Sequence, residues 1–499
     1  MRVIVSISSR EYQRNIIESG SLDELVRAHK VDFVAPLGVV LELPTHFRNC
    51  KVYYFSLNAR NEYSADFQME INTRNKRYLS SSFKYRSIRK YSNLKFFLIK
   101  QLGFENEFVD TCPRKICNVR RDFLVMIKNK RLRYRKLLLA DFYYFLRNKG
   151  RQFLVYILGS SLMFPLFNLV YKKQNRVNKD LLAIVQWQEY DFVVHISSAY
   201  DRTGSELVRI ANQYSISSVF VIDNWDNLSS KTVLRDLPDF VIVWGEQSRR
   251  HAIEIQGFDS AQVFSLGSAR FQEYFTARNL NLVSHFNHPY VLFAGTFLPF
   301  DEIACLELLD TEIKGNKNIY GDLKIVYRPH PLSHENHAFE FIKKDFQNVI
   351  IDSQIVKYNS SPPNLSKSNR NLPKLDYSPS LIKNSEFLVG GLTSMLIEAS
   401  IFFKTYLALV YDEPLSVTSP RRVFREYVHF EQVENLPNVV LIHERQKLVE
   451  DFRHTYLSCH SLSRENIDKN LTYFVEINEN ETFGTRLKRQ LESLQRSNS

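Results

Sequence analysis

The sequence predicts an α/β protein built from two doubly wound parallel sheets, and three observations predict it. Short β-branched runs alternate with amphipathic stretches from Phe192 onward, which is the pattern of strands joined by crossover helices. The pattern restarts once, at Tyr290, after the polar stretch from Asn281 to Pro289. The chain has 499 residues, more than one hydrophobic core usually holds, so two domains are expected.

The elements follow in order. The apolar run Val3 to Ile7 is too brief for the apolar region of a signal peptide and reads as a first strand. It opens an N-terminal domain placed at residues 1–280, which carries a helical insertion at about 62–185. Within the insertion, Arg114 to Arg151 is crowded with Lys and Arg and holds only Asp122 and Asp141 as acids. Phe, Leu, Ile and Tyr interleave the bases. A basic helix with such anchors suits the headgroup layer of an anionic membrane, each Lys or Arg adding about 1 kcal/mol; a solvated helical insertion is the alternative. The apolar run Phe153 to Val170 reaches the length of a membrane span. Gly159, Ser160, Ser161, Pro165 and Asn168 lower its tendency to insert, and both its flanks are basic, so insertion and packing in the core both stay open.

Four strands then complete the first domain: Phe192 to Ile196, Ser218 to Asp223, Phe240 to Trp244 and Val263 to Leu266. The C-terminal domain is placed at 285–463, with strands Tyr290 to Ala294, Leu323 to Tyr327, Val349 to Ile351, Phe387 to Val389 and Tyr406 to Val410. Between Lys357 and Lys374 a run of Asn, Ser, Pro and Lys reads as a surface loop. Residues 464–499 have charged helical periodicity and suit a terminal helix returning across the domain junction.

Hydrophobic residues make up 44% and charged residues 24% of the chain, an ordinary globular balance, while the net charge of +12 calls for an anionic partner. Five scattered cysteines fit a reducing compartment better than a disulfide framework, which points to the cytoplasm. Cys112 and Cys117 have no second Cys or His pair at zinc-ligand spacing, so no metal is expected. No recognisable DNA- or RNA-binding motif accompanies the positive charge, so nucleic acid is not expected as a partner.

Three segments carry the chemistry. In the first, strand Phe387 to Val389 runs into the glycine turn Gly390-Gly391, and Thr393-Ser394 open a helix. Such a turn brings backbone amides and the positive end of the helix dipole to a phosphate. Glu398, one turn on, lies on the same helix face and can accept hydrogen bonds from ribose hydroxyls. An ordinary βα turn with a capping serine is the alternative. The second segment, Arg328-Pro329-His330-Pro331, follows another strand at the edge where open α/β sheets bind ligands. The prolines hold His330 extended, and His330 with Arg328 would stabilise charge building on a leaving phosphate. Gly295-Thr296 end the neighbouring strand on the same side.

The third segment, Asp223-Asn224-Trp225-Asp226-Asn227, leaves the strand before it and runs on to Lys231. Asp226 is the expected general base, and Trp225 offers a face to a sugar ring. Helix capping by Asp226 or Asn227 is the alternative. Asp201 and Glu206 are second-choice bases, and Gly267, Ser268 and Arg270 line the same edge.

Together these motifs resemble GT-B glycosyltransferases of bacterial capsule and O-antigen polysaccharide biosynthesis, relatives of CDP-glycerol glycerophosphotransferases and of CMP-sugar-using transferases. The resemblance covers roughly Phe192 to His443, and its carriers are Asp223 to Asn227, Val243-Trp244-Gly245, Leu266 to Phe271, Arg328 to Pro331 and Gly391 to Ala399. It implies two Rossmann-like domains and a nucleotide-sugar donor (CMP- or UDP-linked) held mainly by the C-terminal domain. It implies a glycan or lipid-linked glycan as acceptor on the N-terminal side, without a metal or other cofactor, and His330, Thr393 and Ser394 match the family's phosphate-contacting positions. Asp376-Tyr377-Ser378-Pro379 only partly echoes the Asp-Tyr-Ser-Ser loop of the glycerophosphotransferases, which favours sugar transfer over polyol-phosphate transfer. A nucleotide-sugar 2-epimerase is the rival enzyme, and a glycan-binding protein on the same fold is the rival outside catalysis. With residues 114–170 on an anionic surface, the expected location is the inner face of the plasma membrane.

Overall fold

The computed structural model describes residues 1–56, 67–75, 150–174, 177–197, 203–231, 233–296, 301–330, 344–354, 372–412, 419–458 and 463–498. Its strands form two entirely parallel sheets. The first has the order β3-β2-β1-β4-β5-β6-β7, with β1 Arg2–Ser6, β2 Lys30–Pro36, β3 Val52–Phe55, β4 Phe192–Ser197, β5 Ser217–Ile222, β6 Phe240–Val243 and β7 Val263–Ser265. The second has the order β10-β9-β8-β11-β12-β13, with β8 Tyr290–Ala294, β9 Lys324–Arg328, β10 Val349–Ile351, β11 Leu388–Gly390, β12 Tyr406–Leu409 and β13 Val439–Ile442. In each, the chain starts in the middle, winds to one edge, then returns to wind to the other. These are two Rossmann-like domains, the GT-B class of architecture.

The central strands are buried on both faces, as crossover helices require. β4 is buried at all six of its positions, and β8 at all five. One face of the first sheet packs with Ile16, Leu25 and the C-terminal helix through Leu487 and Leu491, the other with Trp187 and Leu207. In the second sheet, Leu306, Leu309 and Phe452 cover one face. The opposite face belongs to a core that also takes in Trp225, Trp244, Phe271 and Tyr274 from the first domain, so the junction itself is a hydrophobic core.

The C-terminal segment crosses that junction. The Gln247 amide donates to the Tyr473 carbonyl (2.8 Å) and the Glu476 amide to the Trp244 carbonyl (2.7 Å). Helix Phe483–Asn498 then lies against helix Asp23–Ala28, with Glu492 meeting His29 Nε2 at 2.8 Å.

The apolar run at 153–170 is not a single helix. Residues 150–158 are helical, a turn occupies 159–163, and a second helix spans Phe164–Gln174. Among the described residues no helix is long and apolar enough to cross a membrane. Arg114 to Lys149 and most of the Lys357 to Lys374 stretch lie outside the described residues.

Candidate functional site

The carboxyl ends of the two sheets face each other, and the sequence motifs sit there. On the C-terminal side, β8 and β9 approach so closely at their ends that a Cβ on Gly295 would lie 2.7 Å from the His330 amide nitrogen. Glu302, buried at the start of helix Glu302–Gly315, ties this end together. Its carboxylate accepts from the Thr296 amide (2.7 Å) and from the Tyr327 hydroxyl (2.5 Å).

The glycine pair at the end of β11 has a packing reason of its own. A Cβ on Gly390 would meet the Ala294 carbonyl at 2.4 Å, and one on Gly391 would meet Thr296 Cγ2 at 2.8 Å. Neighbouring protein thus occupies the space that a side chain at either glycine would need, so strand packing by itself requires glycine at both positions. The helix they introduce, Met395–Ile401, is started by the Thr393 hydroxyl, which accepts from the Met395 amide at 3.1 Å.

Arg328 ends β9 and donates to Asp352 Oδ2 at 2.9 Å. Asp352, fully buried after β10, accepts on its other oxygen from the Tyr377 hydroxyl at 2.6 Å. The Arg328 guanidinium also lies 5.7 Å from the centre of the Tyr377 ring, whose other neighbour is the stacked His285 at 4.4 Å. The arginine is therefore held in one orientation by a carboxylate and a ring.

On the N-terminal side, Ser9 caps helix Arg10–Gln13, and the chain continues as the π-helical turn Arg14–Glu18 directly after β1. Arg14 donates to Asn15 Oδ1 (3.1 Å) and, across the junction, to the Pro373 carbonyl (3.4 Å). It makes no ion pair among the described residues. Burial pulls its pKa down, Glu11 and Tyr274 raise it, and the approach of Arg270 and Arg328 lowers it again. The Asn15 amide donates to Asp223 Oδ1 at 3.3 Å.

Arg270, on the short turn Ala269–Phe271, reaches across to donate to Glu398 and lies 3.5 Å from the Ser394 hydroxyl. The Tyr274 hydroxyl donates to the other Glu398 oxygen at 2.8 Å. Burial opposes the charge on Arg270, but Glu398, Tyr274, Asp223 and Glu11 together hold its pKa above the usual value. Arg14, Arg270, Arg328, Asp223 and Glu398 therefore form one charged cluster between the sheets.

Several expectations change. Glu398 is buried and engaged by Arg270, Tyr274 and Ser394, where an open carboxylate was expected. Trp225 is 4% exposed and packs edge-on against His429 (5.0 Å) and Phe430 (5.5 Å), so it is part of the domain junction and offers no face to a sugar. Asn227 is buried and donates to the Ser197 carbonyl at 3.3 Å, tying the ends of β4 and β5. Lys231 ends the π-helical turn Asn227–Lys231, Glu206 lies in the first turn of helix Thr203–Tyr214, and Asp201 lies outside the described residues. Gly267 adopts a φ of 80° and is backed by the Glu476 carbonyl.

Four buried oxygens along the carboxyl edge of the first sheet, Ser6 Oγ, Gln13 Oε1, Asn224 Oδ1 and Asn227 Oδ1, have no hydrogen-bond partner among the described residues. Buried polar atoms left this way call for water or a ligand. Arg14, Asn15, Asp352 and Tyr377 were not singled out from sequence. Position after a strand was the available signal for Asp352 and for the Arg14 turn; Tyr377 stands inside the segment Asp376 to Pro379.

No family model and no curated protein matches the sequence. Among solved structures the chain is similar to UDP-GlcNAc 2-epimerase from Methanocaldococcus jannaschii, at 13% identity over 99% of this chain and 100% of that one, with a TM-score of 0.43. It is similar to UDP-GlcNAc 2-epimerase from Neisseria meningitidis bound to UDP-GlcNAc, at 11% identity over 99% and 100%, TM-score 0.44. It is also similar to MurG from Acinetobacter baumannii, at 7% identity over 99% of each chain, TM-score 0.39. At these scores the likenesses carry no functional argument, and the architecture rests on the strand order and register.

Proposed function

We propose that this chain transfers a sugar from a CMP- or UDP-linked donor to a lipid-linked or growing surface glycan. The observation that carries the reading is Arg14: a half-buried guanidinium at the facing ends of the two sheets, without an ion pair among the described residues, beside Arg270 and Arg328. Like charges held together in a partly desolvated place favour an anion between them. A nucleotide phosphate supplies one, and arginine matches its oxygens with paired donors.

In this reading the donor phosphate lies between Arg14 and Arg328, with His330 donating a hydrogen bond to it. The acceptor oxygen attacks the anomeric carbon, the bond from that carbon to the phosphate oxygen breaks, and the nucleotide leaves with the electron pair. For direct inversion the acceptor proton needs a base. Asp223 serves better than Asp226, because it lies at the end of β5 beside Asn15 and within electrostatic reach of Arg270. Glu398 must exchange Arg270 for ribose hydroxyls if it is to bind the donor, so binding would loosen one link of the junction.

The test is titration calorimetry with CMP, CDP and UDP, followed by turnover of labelled donors with and without acceptor. Binding that is lost in Arg14→Ala and His330→Ala, with acceptor-dependent release of nucleotide, supports the transferase. Donor conversion without acceptor would assign an epimerase, and absence of nucleotide binding would remove the catalytic reading.

A further inference from the structure

We infer that the two helices at 150–158 and Phe164–Gln174, with the turn between them, form a face that docks on an anionic phospholipid surface. Fifteen large hydrophobic side chains are exposed among the described residues, and seven of them fall between Phe153 and Val170. Leu162, at the turn, is 85% exposed, Phe153 is 64% exposed, and Tyr156, Leu166 and Leu169 each expose more than half of their surface. Leu166, Leu169 and Val170 stand at i, i+3, i+4 spacing on one face of helix Phe164–Gln174, and exposed apolar residues gathered in this way mark interaction sites, whereas single exposed leucines do not.

The face is presented by a packed element. Helix 150–158 turns Val155 inward, and the Cβ of a residue at Gly159 would lie 2.6 Å from Arg74 Cγ, so this turn sits directly on residues 67–75. Arg151 bridges Glu70 at 3.3 Å, and the Arg74 guanidinium lies 4.3 Å from the centre of the Tyr156 ring. Neighbouring protein thus fixes one side of the element and leaves the other to solvent.

Charge selects the occupant. The sequence from Arg114 to Arg151 holds 13 Lys and Arg against Asp122 and Asp141, a net +11 out of the chain's +12. Nearly all the excess positive charge therefore lies in the sequence leading directly into the apolar face, and Lys172 and Lys173 follow it. An apolar face whose flanking sequence is rich in bases is complementary in composition to a bilayer that pairs acyl chains with anionic headgroups. A second copy of this chain would bring like charge against like charge.

The inference stands apart from the proposed transfer reaction, and its test uses no turnover. The full chain is sedimented with vesicles of phosphatidylcholine containing about 30% phosphatidylglycerol, or of phosphatidylcholine alone, at low and high salt. The expected result is binding to the anionic vesicles that weakens with salt and falls about tenfold or more in the variant Leu162→Asp, Leu166→Asp, Leu169→Asp. These positions are exposed, so the variant should keep the wild-type melting temperature, and Leu162→Asp alone provides a milder second test. Unchanged vesicle binding by the triple variant would overturn the inference, as would equal binding to neutral vesicles. A wild-type dimer that the triple variant converts to monomer, with no vesicle binding, would assign the face to a second copy and also overturn it.

Discussion

Arg270 and Glu398 stand 128 positions apart in sequence and meet across the facing ends of the two sheets, guanidinium donating to carboxylate. The carboxylate side chain is only 5% exposed, so removing its partner leaves a buried charge, a loss of roughly 3 kcal/mol. Arg270→Met is therefore expected to melt well below wild type. The double variant Arg270→Met, Glu398→Leu should melt above that single variant, because neither charge is then stranded. A double variant no more stable than Arg270→Met would show that the pair is not energetically coupled.

Two other arginines of the cluster should behave in opposite ways. Arg328 is paired with Asp352, which has no solvent exposure, so Arg328→Met should destabilise by roughly 3 kcal/mol. Arg14 has no such partner, and burial and neighbouring arginines oppose its charge. Arg14→Met should change stability by less than about 1 kcal/mol while weakening nucleotide binding about tenfold or more. Thermal melting and calorimetry on both variants separate the effects; equal destabilisation by the two would contradict the assignment of Arg14 to ligand binding.

The strands from Phe192 onward were legible because β8 and β12 are continuous apolar runs, β5 becomes one after its two serines, and β4 is broken only by the buried His195 before its final Ser197, as suits strands covered on both faces. β2 was not, and Asp32 explains why. A charged residue interrupts the run, yet it is buried, accepting from the Lys51 amide (2.7 Å) and the Tyr190 hydroxyl (2.8 Å). β3 and β13 have only four residues each and lie at sheet edges, where partly exposed positions blur the pattern. At the site, residue types and strand ends were readable, but partners were not. Nothing in the sequence near Glu398 announces Arg270 and Tyr274, and Trp225 reads the same whether it stacks on a sugar or on His429. Such pairings are set by how the domains meet, which local sequence does not encode.

The glycine pair offers a test of packing against ligand approach. A methyl group on Gly390 would sit 2.4 Å from the Ala294 carbonyl and 2.6 Å from the Tyr406 hydroxyl. Gly390→Ala must push β8 and β11 apart, and a loss of about 2 kcal/mol or more is expected. Gly315, the last residue of helix Glu302–Gly315, has nothing within 4 Å of the same methyl group. Gly315→Ala should therefore gain about 0.5 kcal/mol through helix propensity. If Gly390→Ala melted like wild type and lost only nucleotide binding, the glycine would be there for the ligand after all.

His251 makes the stability of the junction depend on pH. It ends helix Glu246–His251, is 1% exposed, and neither ring nitrogen has a hydrogen-bond partner among the described residues. Burial, with His429 and Arg250 nearby, pulls its pKa down from the ordinary 6.5 to about 3. Between those values the unfolded chain binds a proton that the folded protein does not, so stability rises with pH across the window. The contribution is complete above about pH 6.5 and is lost on acidification by about 1.4 kcal/mol per pH unit, levelling off near pH 3. His251→Gln cannot take up that proton. Its melting temperature, measured from pH 7 down to pH 5, should fall less steeply than that of the wild type, whatever the two proteins' difference at pH 7. Parallel curves would mean that His251 is protonated in the fold as readily as outside it.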